Sequence, residues 1–417
     1  NRKIRLRTTS PVSVTLWTGF IMSIQPTSRI ETLPTVEIRA HGPFISLIGN
    51  DVTPPSSAGA LTGTLIGSIL DEADFPAGDR IIDAGQTTTG PWYLADQDAL
   101  DACHEIEETE LGYLYEGLAW DIVFEDRHHR LKGTHITSQA TFTDAAGGAR
   151  RYIEIDHLNP LLEIYNKIVA TYTPYVTDSI AILWTLHENT TPEINPGQTR
   201  IWFANYPNSE FDNDTGAYVD AWTTPVVGTD LTQTGVSNGN IAVVATKFAT
   251  AMKLEITNNG TAVALITLLQ ARGTAVRKLA ETRVYAENIT SQGKYRTRSY
   301  KLPSKWLPNT LVAQDFCDYI ISKWKDPQPI VSFTIPANRN DTYMTEALSR
   351  LISDRITIVG TNTTKLGINE DFFIEAIEHK IDRNRLHYTK FECSPASAEA
   401  YWILGTSTLG ETTVLGF

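Results

Sequence analysis

"FFIEAIEHKIDRNRLHYTKFECSP", Phe372 to Pro395, decides how the chain is read, because it holds two histidines, three glutamates and a cysteine. It is either a chemical site or a β-hairpin whose polar residues face water. Placing the loop at Asp382 to Arg385 sets Ile381 opposite Leu386 and Ile374 opposite Cys393. Two-residue alternation then gathers Ile374, Ala376, Phe391 and Cys393 on one apolar face. His387 shares that face but lies about 20 Å along the strand from Cys393, and His379 is expected on the other side. A nucleophilic dyad needs hydrogen-bond reach. The stretch therefore predicts a structural hairpin with a core cysteine and solvated charges.

The other polar clusters read the same way. In "EDRHHR", Glu125 to Arg130, His128 and His129 point to opposite faces of a strand, or about 100° apart on a helix. Neither arrangement chelates one ion, and the HExxH pattern is absent. Strand-end charges are expected. "HEIEETE", His104 to Glu110, offers paired carboxylates, but so dense a run on a short helix predicts a solvated face. Cys103, Cys317 and Cys393 are scattered and odd in number. With no CxxC pair they predict buried free thiols from a reducing compartment rather than a zinc site or disulfide framework. There is no GxSxG, no P-loop and no GxGxxG after a strand. No catalytic residue, metal ligand or cofactor is predicted. One binding surface is a candidate: Trp202, Tyr206, Tyr218 and Trp222 as a glycan-stacking platform, although alternation makes about half of such aromatics core. Sequons such as those at Asn189, Asn259 and Asn362 are expected by chance in an Asn- and Thr-rich chain.

The bulk properties set the class. A chain of 417 residues with 41% hydrophobic residues can build several cores. A net charge of -13 argues against a nucleic-acid or anionic-membrane binder. The longest apolar runs fall short of the roughly 20 residues of a membrane span. No secretory leader is visible in "NRKIRLRTTSPVSV"; the chain is expected to begin inside a longer protein, already in a strand.

Period-two segments dominate residues 1–50. "LTGTLIGSILDEADF" and "DQDALDACHEIEETELG" predict helices, the second capped by Asp96 and Gly112. "GYLYEGLAWDIVFEDR" predicts a hairpin turning at Glu116-Gly117, and "TLVAQDFCDYIISKWKDP" a helix with Phe316, Ile320 and Trp324 on one side. From 186 to 271 a Thr-, Asn- and Gly-rich block predicts an inserted β-sandwich. The expected class is mainly β (α+β) with three or four helices.

Three blocks carry a resemblance. "SILDEADFPAGDRIIDAG" leading to "EIEETELGYLYEG" and "WDIVFEDR", then "LITLLQARGTAVRKLAETRVYAENITSQGKYRTRSYKL", then the closing hairpin with "WILGTSTLGETTVLGF", resemble the minor tail proteins of long-tailed bacteriophages. The second block departs from the family pattern by a displaced glycine in "QGKYRTR". The resemblance implies a tail-tip or baseplate hub with two tail-tube-like β-barrels, an α-helical insertion and an inserted β-sandwich. On this chain the first barrel would take 1–60 and 118–160, around a helical insertion at 61–117. The second would take 161–185 and 272–395, around the sandwich at 186–271, with a C-terminal extension at 396–417. It further implies a non-enzymatic virion component at the tail tip, assembled in the host cytoplasm. The implied assembly is a homotrimer contacting distal-tail or tail-tube proteins, the tape measure protein and receptor-binding or tip proteins. DNA would pass through the lumen without specific binding, and the hub would open for ejection. The alternatives are an adhesin gripping cell-surface glycan through 186–271, and a tail-associated cell-wall hydrolase.

Overall fold

The computed structural model describes residues 2–27, 35–94, 96–188, 190–206, 216–302, 305–382 and 385–396. The fold is mainly β, with five helices among these residues. The "WILGTSTLGETTVLGF" ending lies outside the described residues.

The largest regular sheet has six strands, in the order Glu154–Leu158, Ile330–Pro336, His387–Pro395, Ile368–Ile381, Arg355–Gly360 and Thr141–Thr143. Thr143 of the last strand makes an isolated parallel bridge to Arg151, three residues before the first strand begins, with the Thr143 amide donating to the Arg150 carbonyl at 3.0 Å. Inside lie Phe142, Phe333, Phe372 and Phe391, alternate residues of four different strands. This sheet redraws the expected boundary. Strands at 141–143 and 154–158, assigned by sequence to the first barrel, hydrogen-bond to strands of the expected second one. Residues 167–172, expected to open the second barrel, instead form a three-stranded sheet with Thr282–Glu287 and Ser299–Leu302.

The block around 186–271 consists of two sheets over one core. The long strand Ala264–Lys278 pairs in turn with segments at 175–177, 181–185, 193–194, 216–223 and 231–234. Opposite it, Thr199–Asn205, Ala251–Asn258 and Ile241–Lys247 form the second sheet. Leu254, Ile256, Leu269 and Ala271 fill the space between them. The unit overruns both expected limits, because a strand of fifteen residues does not stop at 271. Gly273 marks a close approach of its strands: a Cβ there would meet Val219 Cγ1 at 2.7 Å and the Ala221 carbonyl at 2.8 Å.

Helix α1 (Thr62–Glu72) buries Leu65, Ile66, Ile69 and Leu70, and α2 (Ala99–Glu110) buries Cys103 and Ile106. The α2 cap is Asp98, whose side chain accepts from the Leu100 and Asp101 amides; the left-handed C-cap is Leu111. Both differ from the expected Asp96 and Gly112. Helices α3 (Ile289–Tyr295) and α5 (Asp341–Ser349) add to those the sequence predicts, and α5 lies between strands. Helix α4 (Thr310–Trp324) buries Phe316 and Ile320 as its spacing predicts, with Trp324 partly buried on the same cluster and Cys317 buried beside them. All three cysteines are free and buried. No helix among the described residues is long and apolar enough to cross a membrane.

Candidate functional site

The closing hairpin is the first correction. Ile374 does pair with Cys393, but Glu375 is an extra residue: the register resumes with Ala376 opposite Glu392 and Ile377 opposite Phe391. A bulge of this kind swaps the faces beyond it. Ala376 is exposed and Ile377 takes its place over the core. At the far end Ile381 pairs with His387 rather than Leu386. His379 is thereby carried onto the face of His387, and the two rings hydrogen-bond at 3.0 Å, Nδ1 to Nε2. Burial, and then the neighbouring ring, lowers His379 to about 4; burial alone lowers His387. Both are neutral at pH 7. Cys393 is buried and its thiol is pushed well above the usual range, which leaves it protonated and inert.

The same bulge creates a dense polar site. Glu375 accepts both arms of the Arg130 guanidinium, at 2.6 and 2.7 Å, and also the Ser394 hydroxyl. Arg130 is 2% exposed. It donates further to Ser353 Oγ at 3.1 Å and stacks 3.9 Å from the Tyr113 ring centroid. Ser353 donates to Glu125, which also accepts from the Tyr115 hydroxyl at 2.6 Å. Burial pushes the Glu375 carboxyl up, but Arg130 and Ser394 outweigh it and hold the group below its usual range. Burial and the Glu125 charge raise Tyr115 far above its usual value, so its hydroxyl keeps the proton it donates.

A few residues away the pattern repeats. Glu110, at the C-terminal end of α2, is fully buried. It accepts from Thr62 Oγ1 at 2.7 Å, the Thr87 amide at 2.9 Å, the Gln86 amide at 3.1 Å and Arg127 at 2.9 Å. Arg127 lies 5.3 Å from the Phe316 ring of α4. His129 bonds Asp83 at 2.7 Å, which raises the imidazole, and its ring lies 4.9 Å from that of His135. "EDRHHR" and the last glutamate of "HEIEETE" are thus a buried joint, not strand-end and solvated charge. The signal in the sequence was the density of both signs in "EDRHHR"; what it could not show was that the opposing charges come from Glu110 and Glu375.

A cleft of about 370 Å³ opens beside this joint, lined in part by Tyr113, Trp324, Glu375, Glu392 and Ser394. Its Glu375 is ion-paired and ionised, so it is not poised as a general acid. No group of three or more His, Cys, Asp or Glu able to hold a metal ion occurs among the described residues.

The expected aromatic platform is corrected by its burial. Trp202, Tyr206, Tyr218 and Trp222 are 7%, 3%, 0% and 5% exposed. Sugar stacking needs an open ring face. Trp202, Tyr206 and Trp222 instead belong to the core between the two sheets, and Tyr218 stacks on Tyr93 at 4.4 Å. Alternation turns Phe203 outward between Trp202 and Ala204.

No family model matches the sequence, and no curated protein matches it. Solved structures do. The chain is similar to the tail protein from Neisseria meningitidis MC58, with TM-score 0.51 and 7% identity over 92% of this chain and 82% of that one. It also matches the 43 kDa tail protein of prophage MuSo2 from Shewanella oneidensis, with TM-score 0.49 and 8% identity over 95% and 89%. A third match is the prophage tail protein gp18 from Listeria monocytogenes, with TM-score 0.38 and 10% identity over 94% and 83%. At these identities the likeness to the Neisseria protein is one of fold.

Proposed function

We propose that this chain is a structural component of a phage-type tail, and that it serves as the hub closing the tail tube at its tip. The observation that carries the reading is the fold shared, over 92% of the chain, with a protein described as a tail protein. The local chemistry is consistent with it. The polar cluster around Arg130 and Glu375 holds its charges in a two-point ion pair, which suits a scaffold. The six-stranded sheet, whose last strand bridges to Arg151 just ahead of its first strand, is read as one tail-tube-like barrel; a closed sheet leaves no edge to aggregate. A second barrel-like unit would let three copies cap a sixfold tube. In this reading the homotrimer contacts tube or distal-tail subunits, the tape measure protein and tip proteins. The net charge of -13 lets DNA slide past without adhering. The trimer opens on attachment to release DNA.

Electron-microscopic class averages of the purified full-length protein, viewed down the particle axis, test this. Threefold density with a pseudo-sixfold inner ring is the expected result. A monodisperse monomer at tens of micromolar would overturn the hub assignment.

A further inference from the structure

Two sheet faces of opposite charge lie exposed on this chain. The first belongs to the three-stranded sheet of Lys167–Tyr172, Thr282–Glu287 and Ser299–Leu302. Its inner residues Ile168, Ala170, Ala286 and Leu302 share one core with α4. By alternation the other face carries Lys167, Val169 and Thr171. The register sets Tyr285 and Lys301 on either side of Val169, and Arg283 beside Thr171. Arg283 and Lys301 are exposed and make no ion pair among the described residues. Glu287, the acid among these outward side chains, lies 4.0 Å from Lys167. Tyr285 is 59% exposed.

The second is the outer face of the six-stranded sheet. Val331, Phe333, Phe391 and Cys393 point into its core, so the residues alternating with them point away. The register lines up Glu154, Thr334, Lys390 and Glu378 in one row across four strands. Asp156, Ser332 and Glu392 form the next row, and Leu158 and Ile330 the one after. All four carboxylates are exposed. Lys390 pairs with Glu392 at 3.0 Å; that bond, with the charges of Glu378 and Asp156, raises its pKa. Four carboxylates thus surround one ammonium, with Lys380 a row beyond.

Both members of a complementary pair are therefore carried on one chain, and no ion pair joins them within it among the described residues. Neither face can dock on its own twin without setting like charges together, which disfavours a twofold contact. A nucleic acid or an anionic lipid surface would satisfy the basic face alone and be repelled by the acidic one. We propose that the Lys167, Arg283 and Lys301 face of one copy docks on the Glu154, Asp156 and Glu378 face of the next. The contact is head-to-tail, the kind that can close a ring. Opposite charge orients it, and Tyr285 and Leu158, the latter 60% exposed, add apolar area to the two sides. This rests on the hub reading and names the surfaces through which its copies join.

Sedimentation equilibrium of the full chain tests it, with wild type, Arg283→Glu/Lys301→Glu, Glu154→Lys/Asp156→Lys, and a chain carrying all four reversals. Each two-site reversal sets like charges against each other and is expected to weaken self-association about 100-fold. The four-site chain has opposite signs again and is expected to return to within about tenfold of wild type. Thermal unfolding and far-ultraviolet circular dichroism check that the variants fold; Arg283→Gln/Lys301→Gln is the milder substitute and is expected to weaken association in the same direction. Threefold assembly that neither reversal moves, or that both abolish and the four-site chain does not regain, would overturn the contact and leave the hub reading standing. Assembly that responds as expected but is not threefold would keep the contact and remove the hub. A wild-type monomer would end both. Binding of a short DNA duplex, lost in Arg283→Glu/Lys301→Glu while self-association is unchanged, would give the basic face to a polyanion and sink the proposal.

Discussion

Arg130 and Glu375, 245 residues apart in sequence, meet in a two-point ion pair at 2.6 and 2.7 Å. The pair ties the segment that leaves the Tyr113–Glu116/Ile122–Glu125 hairpin to the bulge of the closing hairpin. It joins two units that share no sheet. Removing one member takes from the other its two-point partner. Glu375→Gln strands a guanidinium that is 2% exposed, so it is expected to cost about 3–5 kcal/mol. Arg130→Met/Glu375→Leu, which removes both charges, is expected to recover most of that loss. Urea denaturation of Arg130→Met, Glu375→Leu and the double variant measures the coupling; a coupling energy near zero would contradict the joint.

Glu110 makes a second test at a different depth. Its carboxylate accepts from two backbone amides, a threonine hydroxyl and Arg127. Glu110→Gln retains one acceptor oxygen and turns the other into a donor facing donors. The expected loss is about 2–4 kcal/mol, with the end of α2 and the 86–87 turn losing amide protection first. Hydrogen exchange that is unchanged at Gln86 and Thr87 would show that Glu110 does not hold them.

The hairpin histidines give the molecule a pH dependence whose sign is fixed. Both are lowered from 6.5, His379 to about 4. Between those values the unfolded chain binds more protons than the folded one, so stability falls as pH drops from about 6.5 toward 4 and levels off below. Each ring contributes a slope of at most about 1.4 kcal/mol per pH unit. Replacing His379 by Gln and His387 by Phe should flatten the stability profile in that window and leave it unchanged above pH 7. A slope that survives in the double variant would place its origin elsewhere.

The reasons the sequence misjudged these residues are physical. Alternation located the hairpin strands and the core role of Ile374, Phe391 and Cys393, because apolar faces obey a local period. It could not register the extra residue at Glu375, since a bulge is stabilised by its distant partner, here Arg130. One inserted residue then moved His379 across the sheet. The helices α1, α2 and α4 were legible from their apolar stripes. The short α3 and α5 were not: each is held by an asparagine cap, Asn288 and Asn340, and their stripes span too few turns to declare a period. The expected assignment of 141–143 and 154–158 to a unit separate from 330–395 failed for the same long-range reason, because strand partners about 200 residues apart leave no local mark.

Asp144 is clamped by the turn that follows Gly360. Its carboxylate accepts from the Asn362, Thr363 and Thr364 amides and from Thr364 Oγ1. Burial raises its pKa, but the Thr364 and Asn362 hydrogen bonds outweigh burial and hold it far below the usual 3.8. A depressed carboxyl contributes stability above pH 3.8 that is lost as the solution is acidified below it. Asp144→Ala leaves three amides without this acceptor and is expected to cost about 1–3 kcal/mol at pH 7. The deficit relative to wild type should shrink in acid. A deficit independent of pH would show that the charge is not what holds the turn.

Trp222 separates a core from a carbohydrate platform. It is 5% exposed, and its indole N–H donates to the Phe248 carbonyl at 2.8 Å, across the two sheets of its unit. Trp222→Ala removes a large buried side chain and leaves that carbonyl without its partner. The expected destabilisation is about 3–5 kcal/mol, comparable to the loss of the Arg130 ion pair but confined to residues 175–278. Phe203, turned outward on a strand of the opposite sheet, is the contrast: Phe203→Ala should change stability by less than about 1 kcal/mol. Chemical denaturation of the two variants distinguishes the roles. Equal, small effects at both positions would mean that the Trp222 ring is open to solvent after all, and would restore it as a candidate for stacking against sugar.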